Sequence, residues 1–248
     1  MAVSCKHCNT NFDTEVKFCS QCGHSIVKVV NTKKIQSLNV IISFYVVMLV
    51  FIALVYYIDT AFPFNFKADL GIEISFAIIV LAFAFLDIKP ILKLYTFKTV
   101  NLKLIGFAII TPIITSVLVY FTITFIEYLM SVEETANYFE SYLYLEYPLF
   151  WSIIFIAIMP PIIEELAFRG VLFNKLKEVT NSRLTIIATA FLFALIHFSI
   201  LSFFWIFPFG LLLGYLRDRY STLWLGMIIH FLHNFIVLML DYFNFYSV

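Results

Sequence analysis

The chain has 248 residues, of which 62% are hydrophobic and only 13% are charged, and its formal net charge at neutral pH is zero. Soluble domains carry about 25% charged residues, because polar groups must cover their surface. A lipid bilayer removes that requirement, so this composition predicts an integral membrane protein. The zero net charge gives no indication of a nucleic-acid partner.

The four cysteines are confined to the N-terminus, where they form two Cys-x-x-Cys knuckles. They are Cys5, Cys8, Cys19 and Cys22. This spacing predicts a tetrahedral four-thiolate site for structural zinc, with Gly23 in the tight turn after the second knuckle. A redox dithiol pair and two disulfides are the alternative interpretations. A closed ligand shell leaves no position for a substrate, so residues 1–26 are predicted to be a zinc ribbon that is structural or docks a protein partner.

Seven apolar segments follow a basic linker at residues 27–37. We predict membrane spans at residues 38–58, 70–86, 102–130, 147–172, 184–200, 202–216 and 223–243. The predicted fold class is therefore all-α, a polytopic transmembrane helical bundle of about seven spans. Residues 38–146 are predicted to form its N-terminal transmembrane helices, and residues 147–248 form a second region that carries the unusual polar motifs.

Basic residues collect on one side of the bundle if the seven spans alternate in direction. They include Lys89, Lys93, Lys98 and Lys103 after the second span, Lys175 and Lys177 after the fourth, and Arg217 and Arg219 after the sixth. The loop at 131–147 carries no Lys or Arg, and its acidic residues are Glu133, Glu134, Glu140 and Glu146. The positive-inside rule thus predicts a cytoplasmic N-terminus and ribbon and an outer C-terminus. Merging the fifth and sixth segments into a single crossing would reverse the side of the C-terminus.

Three clusters of polar residues lie inside apolar segments rather than at their ends. The clusters are Pro160-Pro161-Ile162-Ile163-Glu164-Glu165-Leu166-Ala167-Phe168-Arg169, Phe193-Ala194-Leu195-Ile196-His197 and His230-Phe231-Leu232-His233-Asn234. An ionisable side chain in the hydrocarbon layer costs about 2.5–3.5 kcal/mol on insertion scales. Such residues are retained when they pair with one another or take part in function.

Helical geometry separates two roles within the first cluster. Glu165 and Arg169 are four residues apart, so they share a helix face and are predicted to form an ion pair. Glu164 is rotated from Glu165 by about 100° and remains available for chemistry. The two prolines before the glutamates withdraw backbone N–H donors and loosen the helix. We expect a polar, water-accessible pocket where Glu164, His197 and His230 reach a common depth.

The ordered motifs Glu-Glu-x-x-x-Arg, Phe-x-x-x-His and His-x-x-x-Asn resemble those of the CPBP family. This family comprises the CAAX-type proteases and the bacteriocin-processing or immunity proteins, also called the Abi family. The resemblance covers roughly residues 147–240. It implies a glutamate-dependent intramembrane endopeptidase that acts on a peptide or a membrane-associated protein. Bacterial members with an N-terminal zinc ribbon further imply a bacterial cell membrane as the location.

The resemblance also implies a role for each motif residue. Glu164 is implied as the general base that activates water, and His197 as the residue that holds this water. His230 and Asn234 are implied as hydrogen-bond donors to the oxyanion. The supporting residues are Glu165 and Arg169, which brace the site, and Phe193, which packs against it. The family mechanism implies no catalytic metal.

Three other functions fit parts of the same sequence. Glu164, His197 and His230 could ligate a catalytic zinc, although no His-Glu-x-x-His motif is present. The fold could serve as a catalytically inactive membrane scaffold or a bacteriocin-immunity protein. Glu164 could relay protons in a transporter, although the sequence shows no inverted repeat. His233 is interpreted as a packing residue rather than a ligand.

Overall fold

The computed structural model describes residues 3–12, 16–26, 32–62, 65–130 and 137–243. The chain divides into two compact units, Met1–Gln36 and Ser37–Val248. Part of the basic linker, residues 27–31, and the predicted outer-loop acids Glu133 and Glu134 lie outside the described residues.

The N-terminal unit is built on two short strands and two cysteine knuckles. Strand β1 (Val3–Ser4) pairs antiparallel with β2 (Asn11–Phe12). Each knuckle is followed by a residue in the left-handed region, Asn9 with φ 57° and Gly23 with φ 71°. The backbone N–H of each of these residues donates to the carbonyl of the first cysteine of its knuckle, at 2.8 Å in both cases. The two halves of the ribbon thus repeat one turn.

The rest of the chain that the structure describes consists mainly of helices, the first of which begins before the boundary between the two units. Their bounds are α1 Thr32–Ala61, α2 Phe66–Phe85, α3 Ile88–Leu92, α4 Leu102–Met130, α5 Pro148–Val179, α6 Ser182–Leu195, α7 Ile200–Tyr220 and α8 Trp224–Tyr242. Among the described residues, six helices are long and apolar enough to cross a membrane, namely α1, α2, α4, α5, α7 and α8. The prediction of an all-α polytopic membrane protein is confirmed.

The segment predicted as spans five and six is a hairpin of unequal helices. Helix α6 has 14 residues, which at 1.5 Å per residue is about 21 Å and shorter than the roughly 30 Å hydrocarbon layer. The predicted fifth span continued to Ile200, but the helix ends at Leu195. Phe198, with φ 48°, makes the turn, and the Ser199 side chain caps α7. Helix α7 therefore extends further than the predicted 202–216.

Small residues allow the two arms of this hairpin to pack closely. A Cβ added to Gly210 of α7 would lie 3.1 Å from the Cα of Ala190 in α6, and one added to Gly214 would lie 3.3 Å from Ile186. Helices in lipid associate mainly through such close packing, because lipid tails are as apolar as the side chains.

Polar contacts gather the termini of several helices at one end of the bundle. The Ser37 hydroxyl donates to Glu178, which joins the start of α1 to the end of α5. Lys175 of α5 pairs with Asp87, in the segment after α2, and Lys177 of α5 pairs with Asp218 near the end of α7. The basic residues that follow the predicted second, fourth and sixth spans therefore belong to one end of the molecule.

Two other contacts define the opposite end. The Tyr144 hydroxyl donates to Asp69 near the start of α2, and the backbone N–H of Tyr138 donates to Asp241 near the end of α8 at 2.9 Å. The start of α1 and the end of α8 thus lie at opposite ends of the bundle. Helix α6 starts just after the end of α5, and α7 ends beside α5 through the Lys177–Asp218 contact, so the α6–α7 hairpin begins and ends at the same end of the bundle.

We expect Gly210→Ala to lower the unfolding temperature in detergent, because the added Cβ meets the backbone of Ala190. Overpacking of this kind costs about 1–3 kcal/mol. Gly106→Ala in α4 is the matched control, since a Cβ there meets nothing within 4 Å, and removal of a helical glycine stabilises by about 0.5–1 kcal/mol. Equal shifts in the two variants would contradict the close packing of the hairpin.

Candidate functional site

A cavity of about 570 Å³, partly open at the protein surface, lies between α4, α5, the α6–α7 turn, α7 and α8. Many of its walls are aliphatic or aromatic. Its lining also includes five polar side chains from the three motifs, namely Glu164, His197, His230, His233 and Asn234. Three segments that are separate in the sequence therefore meet at one cavity.

Glu165 and Arg169 form the predicted ion pair, and both side chains are completely buried. Arg169 Nη1 lies 2.7 Å from Glu165 Oε1, and Nη2 donates to the carbonyl of Gly210 at 3.2 Å. The guanidinium also lies over the ring of Phe193, 4.5 Å from its centroid. Arg169 therefore connects α5 to both arms of the α6–α7 hairpin.

Gly226 of α8 provides the space that the Glu165 carboxylate occupies. A Cβ at this position would overlap Glu165 Oε2 and lie 3.1 Å from its Cδ. One helical turn further along, His230 places Nδ1 3.5 Å from Glu165 Oε1 and Nε2 3.8 Å from Glu164 Oε2. The two adjacent glutamates thus flank one imidazole, and only Glu164 also lines the cavity.

The prolines of α5 explain how Asn234 is held. The carbonyl of Ile156 would accept from residue 160 in an α-helix or from residue 161 in the π-helical turn formed by Ile153–Ile158. Both positions are proline and have no N–H. Asn234 Nδ2 donates to this carbonyl at 3.0 Å. The amide group has a second N–H, which remains for another acceptor.

His197 lies just beyond α6, in the turn that leads to α7. Its Nδ1 is 2.9 Å from the carbonyl oxygen of Phe193. A carbonyl only accepts, so Nδ1 carries the proton and Nε2 of the neutral ring is the acceptor. Irregular backbone at membrane depth is tolerated where it borders a cavity, which is the situation of this turn.

His233 is held by α4. Its Nδ1 lies 3.0 Å from the hydroxyl of Thr115 and 3.2 Å from that of Ser116. Its ring also packs on Phe209 at a centroid distance of 4.8 Å. His233 therefore joins α4, α7 and α8 at the cavity wall.

Sequence reasoning missed Glu73 of α2. Its Oε2 is buried and, within the described part of the chain, has no hydrogen-bond partner. Its carboxyl group interacts electrostatically with those of Glu164 and Asp69. The signal was an acidic residue in the middle of an apolar segment, which is costly without a partner. Arg217 was also missed as a structural residue; its Nε donates to the carbonyl of Arg169 at 2.9 Å.

The four cysteines of the N-terminal unit come together as the spacing predicts. Their sulfurs all lie within 4.8 Å of one another. Two of the separations are 3.7 Å for Cys5–Cys22 and 3.4 Å for Cys8–Cys19. Sulfurs bound tetrahedrally at about 2.3 Å would be about 3.8 Å apart. The four cysteines are not joined by disulfides, and the arrangement fits a metal ion.

The surroundings of Cys8 favour a ligand in the thiolate form. A hydrogen bond with the Thr10 hydroxyl, at 3.1 Å, is the main cause that lowers the pKa of Cys8 to about 6. In the described residues, these cysteines are the only group of three or more His, Cys, Asp or Glu ligand atoms close enough for one ion. Glu164, His197 and His230 do not form such a group.

Apolar helices of spanning length, with an acid, three imidazoles and an amide around one cavity, are features of a polytopic membrane enzyme. Comparison with family models makes the class more specific. Residues 146–236 match the model for type II CAAX prenyl endopeptidase Rce1-like proteins. The match covers all three motifs and confirms the resemblance to the CPBP family, a family of membrane proteases. Comparisons with curated proteins and with solved structures found no match.

We expect the purified chain to contain one metal ion for each polypeptide, bound by the four cysteines. Cys19→Ser should remove this ion, because a structural site needs its complete tetrahedral shell. Ser20→Ala, in the same knuckle, is the matched control. Elemental analysis of both variants, with thiol titration, measures the result. Metal-free wild-type protein, or metal that remains in Cys19→Ser, would refute the four-cysteine site.

Proposed function

We propose that this chain is an intramembrane endopeptidase in which Glu164 is the general base for peptide-bond hydrolysis. The observation that carries the proposal is the convergence of Glu164, His197, His230 and Asn234 on one cavity. The match of residues 146–236 to a protease family supports the same reaction class.

The geometry supports a division of tasks around an attacking water. The carboxylate of Glu164 accepts one proton of the water, and Nε2 of His197 accepts a hydrogen bond from its second O–H. Two acceptors fix the water so that its lone pair faces the scissile carbonyl. Glu164 then holds the abstracted proton, which it transfers to the leaving amine.

The developing oxyanion is stabilised from α8. The remaining N–H of Asn234 and an N–H of His230 donate to this oxygen, and they lie on one helix face because the residues are four apart. Asn234 is fixed by the Ile156 carbonyl, so its amide needs no reorganisation during the reaction.

Glu165 and Arg169 are positioning residues in this proposal. The pair is buried, and its second contacts to Gly210 and Phe193 prevent rotation of the Arg169 side chain. Glu165 in turn faces Nδ1 of His230, which orients the imidazole toward the cavity. Phe193 also packs edge-on against the rings of His197 and His230.

A metalloprotease that uses zinc on Glu164, His197 and His230 is the alternative chemistry. The ligand atoms would have to move closer together to bind one ion. Activity that survives a chelator, while the metal content of the ribbon is measured separately, supports the metal-free mechanism. The metalloprotease is supported if a chelator abolishes activity whereas the Cys19→Ser variant, which lacks the ribbon metal, remains active.

We further propose the orientation and the substrate class. The end of the bundle with Lys175, Lys177 and Arg217 is placed on the cytoplasmic side of a bacterial membrane, in accord with the positive-inside rule. The substrate is a peptide or a membrane-protein segment, and bacteriocin-type precursors belong to this class. The ribbon is proposed to bind zinc and to dock a protein partner.

Glu164→Gln is expected to lower kcat for cleavage of a quenched-fluorescent peptide library by at least about 100-fold, because general-base catalysis contributes about 10²–10⁴-fold. Glu146→Gln, the same change at an exposed residue of the loop before α5, is the matched control and should cleave like wild type. Undiminished cleavage by Glu164→Gln would exclude Glu164 as the base. A Glu164→Gln variant that fully replaces wild type in cells would instead support the scaffold.

Gly226→Ala is expected to lower kcat/KM by about 100-fold, because the new Cβ displaces the Glu165 carboxylate and misplaces the site by about 1 Å. Gly71→Ala in α2 is the matched control, since nothing lies within 4 Å of a Cβ there. Cleavage assays at equal amounts of folded protein measure the difference. Wild-type activity in Gly226→Ala would contradict the positioning role of Glu165.

A further inference from the structure

Glu164 and His197 border a second, smaller cavity in addition to the large one. This cavity has a volume of about 170 Å³. Its remaining walls come from α1, α2 and the end of α6, and they are Met48, Phe51, Ile52, Phe76 and Ile196. His230 and Asn234 line only the large cavity. The proposed base and its histidine partner therefore separate two compartments of different chemistry.

The walls of the small cavity favour an apolar occupant. Its five other lining residues are hydrophobic, and Phe51 and Phe76 form one wall as stacked rings 5.9 Å apart. Met48, at 1% exposure, closes it on the side of the protein core. The cavity is partly open at the protein surface, and apart from Glu164 and His197 at one edge its walls offer no polar partner to a water molecule, which needs two to four.

We propose that the small cavity is a specificity subsite for one apolar side chain of the substrate, next to the scissile bond. The inference rests on the proposed function. The oxyanion donors face the large cavity, so the scissile carbonyl of the substrate lies in the large cavity. The substrate residue next to this carbonyl then lies on the other side of Glu164 and His197, and its side chain enters the small cavity. A leucine or phenylalanine side chain matches its volume and its chemistry.

A lipid acyl chain is a less suitable occupant. Such a chain extends over about half of the roughly 30 Å hydrocarbon layer, whereas this cavity holds a group of about benzene size. The cavity is also continuous with the catalytic carboxylate and imidazole, which a substrate must contact and a structural lipid need not.

The test measures kcat/KM for quenched-fluorescent peptides that differ at one position at a time, with Gly, Ala, Leu, Phe or Trp. Wild type is expected to prefer Leu or Phe to Gly at one position beside the scissile bond by at least about 10-fold. Ile52→Trp, which fills the cavity, should reverse this preference toward Gly and Ala and leave the preferences at other positions unchanged. Phe76→Ala, which enlarges it, should extend the preference to Trp.

Leu54→Trp is the matched control, because Leu54 lies on the same helix with 55% of its surface exposed. The inference is overturned if Ile52→Trp and Leu54→Trp give the same peptide preferences, or if Ile52→Trp slows all peptides equally. It is also overturned if the effect of Ile52→Trp follows the acyl-chain length of the surrounding lipid. Absence of any Glu164-dependent cleavage would overturn the proposed function, and the subsite with it.

Discussion

The structure depends on the burial of one ion pair within a segment that crosses a membrane. An unpaired charge in hydrocarbon is costly, and loss of one partner from a buried pair destabilises by about 3–5 kcal/mol. Arg169 therefore needs Glu165, and its guanidinium also contacts the Gly210 carbonyl and the Phe193 ring. These contacts come from both arms of the α6–α7 hairpin, so pairing of the charge also fixes the helices that carry the second motif.

The same constraint explains why irregular backbone is concentrated in α5. Prolines and π-helical turns leave carbonyl groups without helical donors, and lipid supplies none. Asn234 donates to the Ile156 carbonyl, which the prolines leave without a helical donor, and Arg217 donates to the Arg169 carbonyl within a second π-helical segment, Leu166–Leu172. Backbone carbonyls of α5 are thus attachment points for α7 and α8. Asn234, which belongs to a motif, and Arg217, which does not, are both held by a hydrogen bond to a backbone carbonyl of α5.

Much of the site was predictable because membrane burial makes polar residues conspicuous. The Glu165–Arg169 pair followed from a four-residue spacing, and the cysteine cluster followed from two knuckles. The fifth and sixth segments were less predictable, because apolar composition does not show where Phe198 turns the chain. Glu73 escaped notice because it belongs to no motif, and its relation to Glu164 arises only when α2 lies beside α5.

The sequence by itself determined that the chain crosses a membrane with helices, that four cysteines cluster at its N-terminus, and which polar residues need partners. Each of these follows from local composition or from spacing along one segment. Only the tertiary structure decided that Gly226 leaves room for Glu165, that Asn234 binds the carbonyl freed by the prolines, and that Glu164 borders two cavities. These features depend on the distance between helices that are far apart in the chain, and helix packing rather than hydropathy sets that distance.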